Sequence, residues 1–509
     1  MNELEFTDTK AQMGRNAQYT AMGVLLSSLF GFLLYISIGR IFGAGKMSDA
    51  FFAANILWIL FLTFASTFRY TLSVLLAPYD EAEDFRKKEA SILLSVIVFI
   101  IPLCLLIYIF SPYVSSLLGI GFDEEKVEIT LNLVKILIPG FFFVSVGFVF
   151  SSSLGARGIF SIPAIALASL NCFAFLVFLL FRSKLGIYSV AFGLTIGSLS
   201  FFIILLLGIL RKNLFPIFER SSSPFFFNTI LGIFAGAGIY VFNQINYWII
   251  QSFSSLFSEG IPTIFAYSST IIAFLVYIVA FPISVVSAPS MKRQQQDIEK
   301  YFTGALRYNS LFSIPISIVL FLFADSLAGI LFENSFSPQQ ITTFSSMLKI
   351  YTPVIIVGGT ALQFFSLFFS MDMKGHLFSA GALSIPINIL FLSSLSPFLS
   401  FYSLMVSQLC FTIFIVIYLA FWLPSKRIKL SNVLSAIVQG DVILCAFLSA
   451  VVIIVLRILF RDYKDYGFLF EILKISFGGV IYFLSFFVFM KLVRPSKYEE
   501  LRELMTRRR

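Results

Sequence analysis

Long apolar runs repeat from one end of the chain to the other, and they limit its fold more than any other feature. One of them, residues 187–210, reads IYSVAFGLTIGSLSFFIILLLGIL and has no charged side chain. A helix needs about 20 mostly apolar residues to cross a bilayer, and we count about 14 such runs. In lipid every backbone hydrogen bond must be made within the protein, so each run predicts a helix. The expected fold class is an all-α integral membrane protein with about 14 transmembrane helices.

The composition argues against an enzyme. Hydrophobic residues make up 58% of the 509-residue chain and charged residues only 12%, against about 25% charged in soluble domains. His376 is the one histidine, although histidine is the commonest acid–base and metal-binding side chain. The four cysteines lie inside apolar runs and form no CxxC pair, so a disulfide framework or a zinc site is not expected. We expect no cofactor.

One segment has a superficial likeness to a nucleotide-binding loop. The sequence GRIFGAGKMS places Arg40 where the first glycine of a Walker A motif would stand, and Met47 follows Lys46. The motif requires glycine at the first place and serine or threonine at the second. We therefore expect no nucleotide partner, and no nucleic-acid partner either.

The basic residues between the runs predict the orientation. With a cytoplasmic N-terminus, about 24 of the 36 lysines and arginines fall inside and about 8 outside, as the positive-inside rule requires. Both termini are then cytoplasmic. The predicted division is a cytoplasmic segment (1–20), an N-lobe with spans 1–6 (21–212), a C-lobe with spans 7–12 (213–423), spans 13–14 (424–493) and a basic cytoplasmic tail (494–509).

Two halves of the chain repeat each other. Prolines recur at offsets of about 211–214 residues, pairing Pro78 with Pro289, Pro102 with Pro315 and Pro139 with Pro353. The lysines four residues before the last pair, Lys135 and Lys349, match as well. A duplicated six-span unit predicts two pseudo-symmetric six-helix lobes, with a substrate site between them and two further helices at the C-terminus. We place the tenth span at Phe344–Ser370 and the thirteenth at Val433–Phe460.

Two segments carry a resemblance to a known family. The turn between spans 1 and 2 reads FGAGKMSDAFFAAN, and spans 4 and 5 contain LNLVKILIPG and FSIPAIALASLN. Together with the size and the number of spans, they resemble the MVF family of lipid II flippases, within the wider MOP exporter superfamily. The resemblance covers nearly the whole chain. It implies a flippase that moves a polyprenyl-diphosphate-linked saccharide from the inner to the outer leaflet by alternating access.

The chain departs from the family where the family has arginines expected to bind the substrate diphosphate. The family's arginines, and the acidic residues beside two of them, fall on Ser28, Leu34, Tyr35, Leu62, Thr63, Ser269 and Thr270. These replacements put lipid II itself in question, though not lipid-linked transport. The alternatives are an O-antigen or exopolysaccharide repeat-unit flippase and a MATE-like drug exporter. The exporter would need acidic residues in the lobes, and spans 1–12 have almost none.

Charges within spans are costly, so each is a candidate for function. Arg69, deep in span 2, is the candidate phosphate ligand, with a structural ion pair or a position at the interface as the alternative. Arg40 and Asp49 flank the first turn and are expected to pair across it; Ser48 or Asp49 is expected to cap the second span.

Neutral and peripheral polar residues complete the candidate set. Asn243, Gln244 and Asn246 in span 7 either bind sugar hydroxyls or bridge helices. Candidate hinge or coupling residues are Lys135, Pro139, Lys349, Pro353 and Asp441, with the lysines at an interface and Asp441 at a helix start as the alternatives. The expected partners are a lipid-linked saccharide and membrane lipids.

Overall fold

A computed structural model describes residues 3–76, 82–218, 225–424, 427–459, 467–495 and 499. Every regular element in these ranges is a helix, and the chain separates into two compact units, Met1–Thr263 and Ile264–Arg509. The division into lobes of six spans each stays a prediction.

Unit 1 contains eight helices and the first turn of a ninth. They are α1 (Glu3–Phe42), α2 (Lys46–Leu76), α3 (Ala82–Ile109), α4 (Ser111–Leu118), α5 (Glu124–Ala156), α6 (Ser161–Leu185), α7 (Tyr188–Arg211), α8 (Phe225–Ser254) and the start of α9 (Ile261–Arg293). Helix α5 packs against α2 and α7, and α6 packs against α1 and α7. The rings of Phe61 and Phe141 stack at 4.0 Å between α2 and α5.

Helices α6 and α7 approach each other closely because glycines face the partner backbone. A Cβ at Gly197 would lie 2.1 Å from the carbonyl oxygen of Leu170, and one at Gly193 would lie 2.5 Å from that of Ala174. Small residues allow this contact between helices in lipid, where van der Waals packing replaces the hydrophobic driving force.

Unit 2 continues α9 and adds eight helices. They are α10 (Ile298–Phe332), α11 (Pro338–Tyr351), α12 (Pro353–Ser370), α13 (Lys374–Leu399), α14 (Ser403–Phe421), α15 (Leu430–Ile437), α16 (Gly440–Leu459) and α17 (Gly467–Val493). Helix α10 is the hub of the unit and packs against α11, α12, α15, α16 and α17. Leu311 and Ile314 of α10 share a buried cluster with Cys445 of α16 and Phe486 of α17.

The described residues contain twelve segments long and apolar enough to span a membrane. One of these segments, Lys374–Phe421, contains both α13 and α14. Helix α8 is not among the twelve, yet its 30 residues carry no charged side chain. With these two additions the described residues contain fourteen helices that could span a membrane, and the predicted all-helical membrane fold is confirmed.

Two predicted spans are not single continuous helices. The tenth span is not continuous, because Pro353 has no N–H to donate and the helix is interrupted at Thr352, between α11 and α12. The thirteenth span contains two helices, because Val433 belongs to the short helix α15 and a second helix, α16, begins at Gly440.

The prolines of the two repeats have different effects. Pro102 lies inside α3 and Pro315 inside α10. Pro139 lies inside α5, whereas its counterpart Pro353 opens α12. Pro112 lies in the first turn of α4, just after α3 has ended, while the equivalent position in the second repeat is Asp325, within the continuous helix α10.

Candidate functional site

The turn that opens α2 places Asp49 in the interior. Gly43 ends α1 with a φ of 66°, a conformation that glycine adopts without strain. Ser48 donates its hydroxyl to the Gly43 carbonyl at 2.7 Å, so it closes the turn instead of capping α2. Asp49 follows in the first turn of α2 and is fully buried. The expected capping of α2 by Ser48 or Asp49 is therefore wrong.

Asp49 instead binds the start of α9. One carboxylate oxygen accepts the Gly260 N–H at 2.8 Å, and the other accepts the N–H and the hydroxyl of Thr263 at 3.1 and 2.5 Å. The N–H groups of a helix start have no partner within the helix and carry partial positive charge. Asp49 thus ties the start of α2 to a segment more than 200 residues away in the chain.

Lys126 balances the charge of Asp49. It lies in the first turn of α5, and its side chain is 10% exposed. Its ammonium is 3.7 Å from the Asp49 carboxylate and 3.3 Å from the carboxylate of Glu259. A buried carboxylate is strongly disfavoured without such a partner. The ionic partner of Asp49 is Lys126, where the sequence suggested Arg40.

Glu259 and Lys46 extend the contacts toward solvent. Glu259 accepts the backbone N–H of Lys46 at 3.2 Å, and the Lys46 ammonium pairs with Glu125. We call the set Lys46, Asp49, Lys126, Glu259, Gly260 and Thr263 the Asp49 network. It joins the starts of α2, α5 and α9 at one end of the unit.

Neutral polar side chains lie further along α1, α2 and α8. Asn55, one to two turns beyond Asp49, donates to the Tyr35 hydroxyl at 2.6 Å. On α8, Asn243 and Gln244 are half-buried and Asn246 is buried, with its amide donating to the Phe242 carbonyl at 3.1 Å. Amides and phenols in such a region can exchange hydrogen bonds with the hydroxyls and amides of a saccharide.

The family's arginine positions hold neutral side chains in different settings. Leu34 is 1% exposed, and the Thr270 hydroxyl donates to the Ala266 carbonyl within its own helix at 2.8 Å. Tyr35, at a position where the family has an acidic residue, accepts a hydrogen bond from the Asn55 amide. Arg69 lies on α2, but its side chain lies outside the described residues.

The charged residues among the hinge and coupling candidates each have a separate partner within their own unit. The Lys135 ammonium lies 5.6 Å from the ring centre of Tyr108. Its repeat counterpart Lys349 instead binds Asp325 at 2.7 Å. Asp441 lies in the first turn of α16 and accepts from Arg494 at 3.0 Å.

The sequence reasoning missed a second buried ion pair in unit 1. Glu89 of α3 is fully buried and accepts from the guanidinium of Arg157 at 3.0 Å. The same guanidinium lies 3.9 Å from the ring centre of Phe85 and donates to Ser153. The apolar run of span 3 begins at Ser91, two residues after Glu89, so the sequence pattern alone predicts a loop position for Glu89. An acidic residue directly before an apolar run was the available signal.

The fold is similar to those of two multi-pass membrane proteins of known structure. It is similar to the structure of the lipid II flippase MurJ in an inward closed conformation, with a TM-score of 0.78 and 20% identity over 93% of this chain and 99% of that one. It is also similar to an inward-facing multidrug resistance MATE family transporter of the MOP superfamily, with a TM-score of 0.67 and 13% identity over 80% and 96% of the chains. These likenesses show that the chain has the same fold as these two proteins.

The sequence comparisons define the family within that fold. The family model for the lipid II flippase MurJ matches residues 38–475, so the chain belongs to that family. The probable lipid II flippase MurJ of Buchnera aphidicola subsp. Schizaphis graminum is 25% identical over 91% of this chain and 94% of its own length. The lipid II flippase MurJ of Burkholderia cenocepacia is 22% identical over 64% and 67%.

Proposed function

We propose that this chain moves a polyprenyl-diphosphate-linked saccharide, lipid II or a close relative, from the inner to the outer leaflet of a bacterial cytoplasmic membrane. Membership of the lipid II flippase MurJ family is the observation that carries the proposal. The protein acts as a transporter and not as an enzyme. The substrate is a lipid-linked saccharide, and the prenyl chain of that substrate stays in the surrounding lipid.

In this proposal the Asp49 network is the outer lock. The predicted orientation puts the starts of α2, α5 and α9 on the outer side of the membrane. The bonds from Asp49 to Gly260 and Thr263 hold these starts together while the substrate enters from the inside. Alternating access then requires these bonds to break when the protein opens outward.

The saccharide and the diphosphate need different ligands. We assign the saccharide to neutral polar side chains near Asn55 and to Asn243, Gln244 and Asn246 of α8. We assign the diphosphate to Arg69, because a guanidinium can donate two parallel hydrogen bonds to phosphate oxygens. Arg40 and Asp49 then belong to the outer turn and the lock, away from the diphosphate.

Complementation tests this function directly. The chain is expressed in a bacterium depleted of its own lipid II flippase, and growth and cell shape are measured. We expect rescue by the wild-type chain and by Arg69→Lys in part, since the charge remains but the planar fork is lost. Arg69→Ala should not rescue, although its abundance is normal. Rescue by Arg69→Ala contradicts the assignment of Arg69, and failure of the abundant wild-type chain contradicts lipid II as substrate.

A second substrate is favoured by one observation. The family's arginine positions hold Leu34, which is buried, and Thr270, which bonds within its own helix. A repeat-unit flippase for O-antigen or exopolysaccharide carries a different saccharide on the same kind of lipid diphosphate. Rescue of a strain lacking such a flippase, without rescue of the lipid II strain, selects this alternative.

A further inference from the structure

A groove with apolar walls and a basic rim lies in unit 2, where α14 ends and α15 begins. Its volume is about 410 Å³, and it is lined by Ala420, Phe421, Leu423, Ile428, Lys429 and Leu430. We propose that this groove binds an anionic phospholipid of the inner leaflet. The phosphate lies at Arg427 and Lys429, and an acyl chain lies along α14.

The aromatic residues at the end of α14 place the groove at the membrane boundary. The ring of Trp422 lies 4.5 Å from that of His376, and the Tyr418 hydroxyl is 2.8 Å from the hydroxyl of Ser379. Tryptophan and tyrosine concentrate at the level of the lipid headgroups. The groove therefore lies where a phosphate and the first carbons of an acyl chain meet.

An exposed apolar track leads along α14 into the groove. Ile413, Ile417 and Phe421 are four residues apart and so share one face of the helix. Their exposed fractions are 36%, 62% and 80%, increasing toward the groove. An acyl chain lying on this face covers the track and ends at the wall formed by Phe421.

Helix α15 has the pattern of a helix that lies in the interface. Leu430, Leu434 and Val438 are exposed, whereas Val433 and Ala436 are fully buried. A short helix with one apolar face in lipid and charges beside it lies in the membrane plane. Here the exposed apolar face continues the wall of the groove beyond Leu430.

The basic rim is held in place by α10. The carboxylate of Glu299 accepts the backbone N–H of Lys429 and the side-chain amide of Asn432, both at 2.9 Å. These bonds fix the start of α15 and with it the position of Lys429. Lys429 lines the groove, and the side chains of Lys429 and of Arg427, two residues before it, are both exposed. Two cations above an apolar groove match an anionic headgroup with an acyl chain.

Native mass spectrometry of the full-length protein in detergent tests the proposal. The protein is titrated with phosphatidylglycerol and with phosphatidylcholine of the same acyl chains. We expect preference for phosphatidylglycerol, and about 30-fold weaker binding to an Arg427→Gln/Lys429→Gln variant, from about 1 kcal/mol per basic residue. The matched control Arg211→Gln/Lys212→Gln removes two exposed charges at the end of α7 and should bind as wild type.

Four outcomes overturn the proposal. Equal binding of the two phospholipids by the wild-type protein excludes an anionic ligand, and this comparison needs no variant. Equal weakening in both double variants assigns the preference to net charge. If glycerol phosphate at equal concentration displaces phosphatidylglycerol, the groove binds simple anions and not a phospholipid. Displacement by polyprenyl diphosphate at equal concentration makes the groove part of the substrate path.

Discussion

Replacing Asp49 should open the outer side of the transporter. Its carboxylate is fully buried and accepts three hydrogen bonds from Gly260 and Thr263, with Lys126 3.7 Å away. Removing one partner of a buried ion pair costs about 3–5 kcal/mol. Part of this cost is recovered when water hydrates the N–H groups that Asp49 leaves unpaired. We therefore expect the closed state to be destabilised by about 3 kcal/mol relative to the open state, which lowers the closed-to-open ratio roughly 100-fold.

Cysteine labelling measures this ratio. Ala53 lies one helical turn beyond Asp49 on α2 and is 2% exposed. In a chain whose four native cysteines are replaced, Ala53→Cys is reacted with a membrane-impermeant maleimide added outside intact cells. The labelling rate should rise by roughly 100-fold in Asp49→Ala. In Asp49→Asn, which keeps one acceptor oxygen but loses the charge, it should rise roughly 10-fold.

The control is a carboxylate in the same region with an exposed side chain. Glu125 pairs with Lys46, but its side chain is 65% exposed. Exposed ion pairs contribute little, because water and salt screen them. Glu125→Ala should therefore leave the labelling rate unchanged. If Ala53→Cys reacts equally fast with and without Asp49 in a normally abundant protein, the Asp49 network is not the outer lock.

Three further predictions concern stability and orientation. Glu89→Ala should destabilise unit 1 by about 3–5 kcal/mol, measured as a lower thermal midpoint in detergent. The double variant Glu89→Leu/Arg157→Leu should recover much of this stability. If the losses of the two single variants instead add in the double variant, the two residues are not a coupled pair. Gly197→Leu should reduce the folded protein, since its Cβ would meet the Leu170 carbonyl at 2.1 Å, whereas Gly375→Ala, with nothing within 4 Å, should match wild type in size-exclusion profile. Reporter fusions should show both termini in the cytoplasm. Activity of an alkaline phosphatase fused to the C-terminus would place that terminus outside and contradict the predicted orientation.

The number and type of helices follow from the sequence because lipid leaves the backbone few choices. Runs of about 20 apolar residues without charge have to be helices in a bilayer. Helix ends are less determined, since the hydropathy of residues 433–439 continues that of the following run. In the structure α15 ends at Ile437, before α16 begins at Gly440, and the bonds from Glu299 to Lys429 and Asn432 hold it against α10.

The sequence predicts which residues are candidates for the site but not which groups they bind. Asp49 is a candidate from the sequence because it flanks, with Arg40, the turn between the first two spans. Its partners Gly260 and Thr263 are not, because backbone N–H groups at a distant helix start leave no mark in the sequence pattern. Lys126 was missed for a related reason, since it lies among acidic residues of a predicted loop and reads as a solvated charge.

The proline positions of the two repeats have a consequence for chimeras. The first repeat is interrupted at Phe110, between α3 and α4, and is continuous through Pro139; the second is continuous through Asp325 and interrupted at Thr352. A chimera built from two copies of the first repeat would have two interruptions at the level of Phe110 and none at the level of Thr352. Recombining the two halves of this gene therefore changes the positions at which the helices are interrupted, even where the aligned residues are the same.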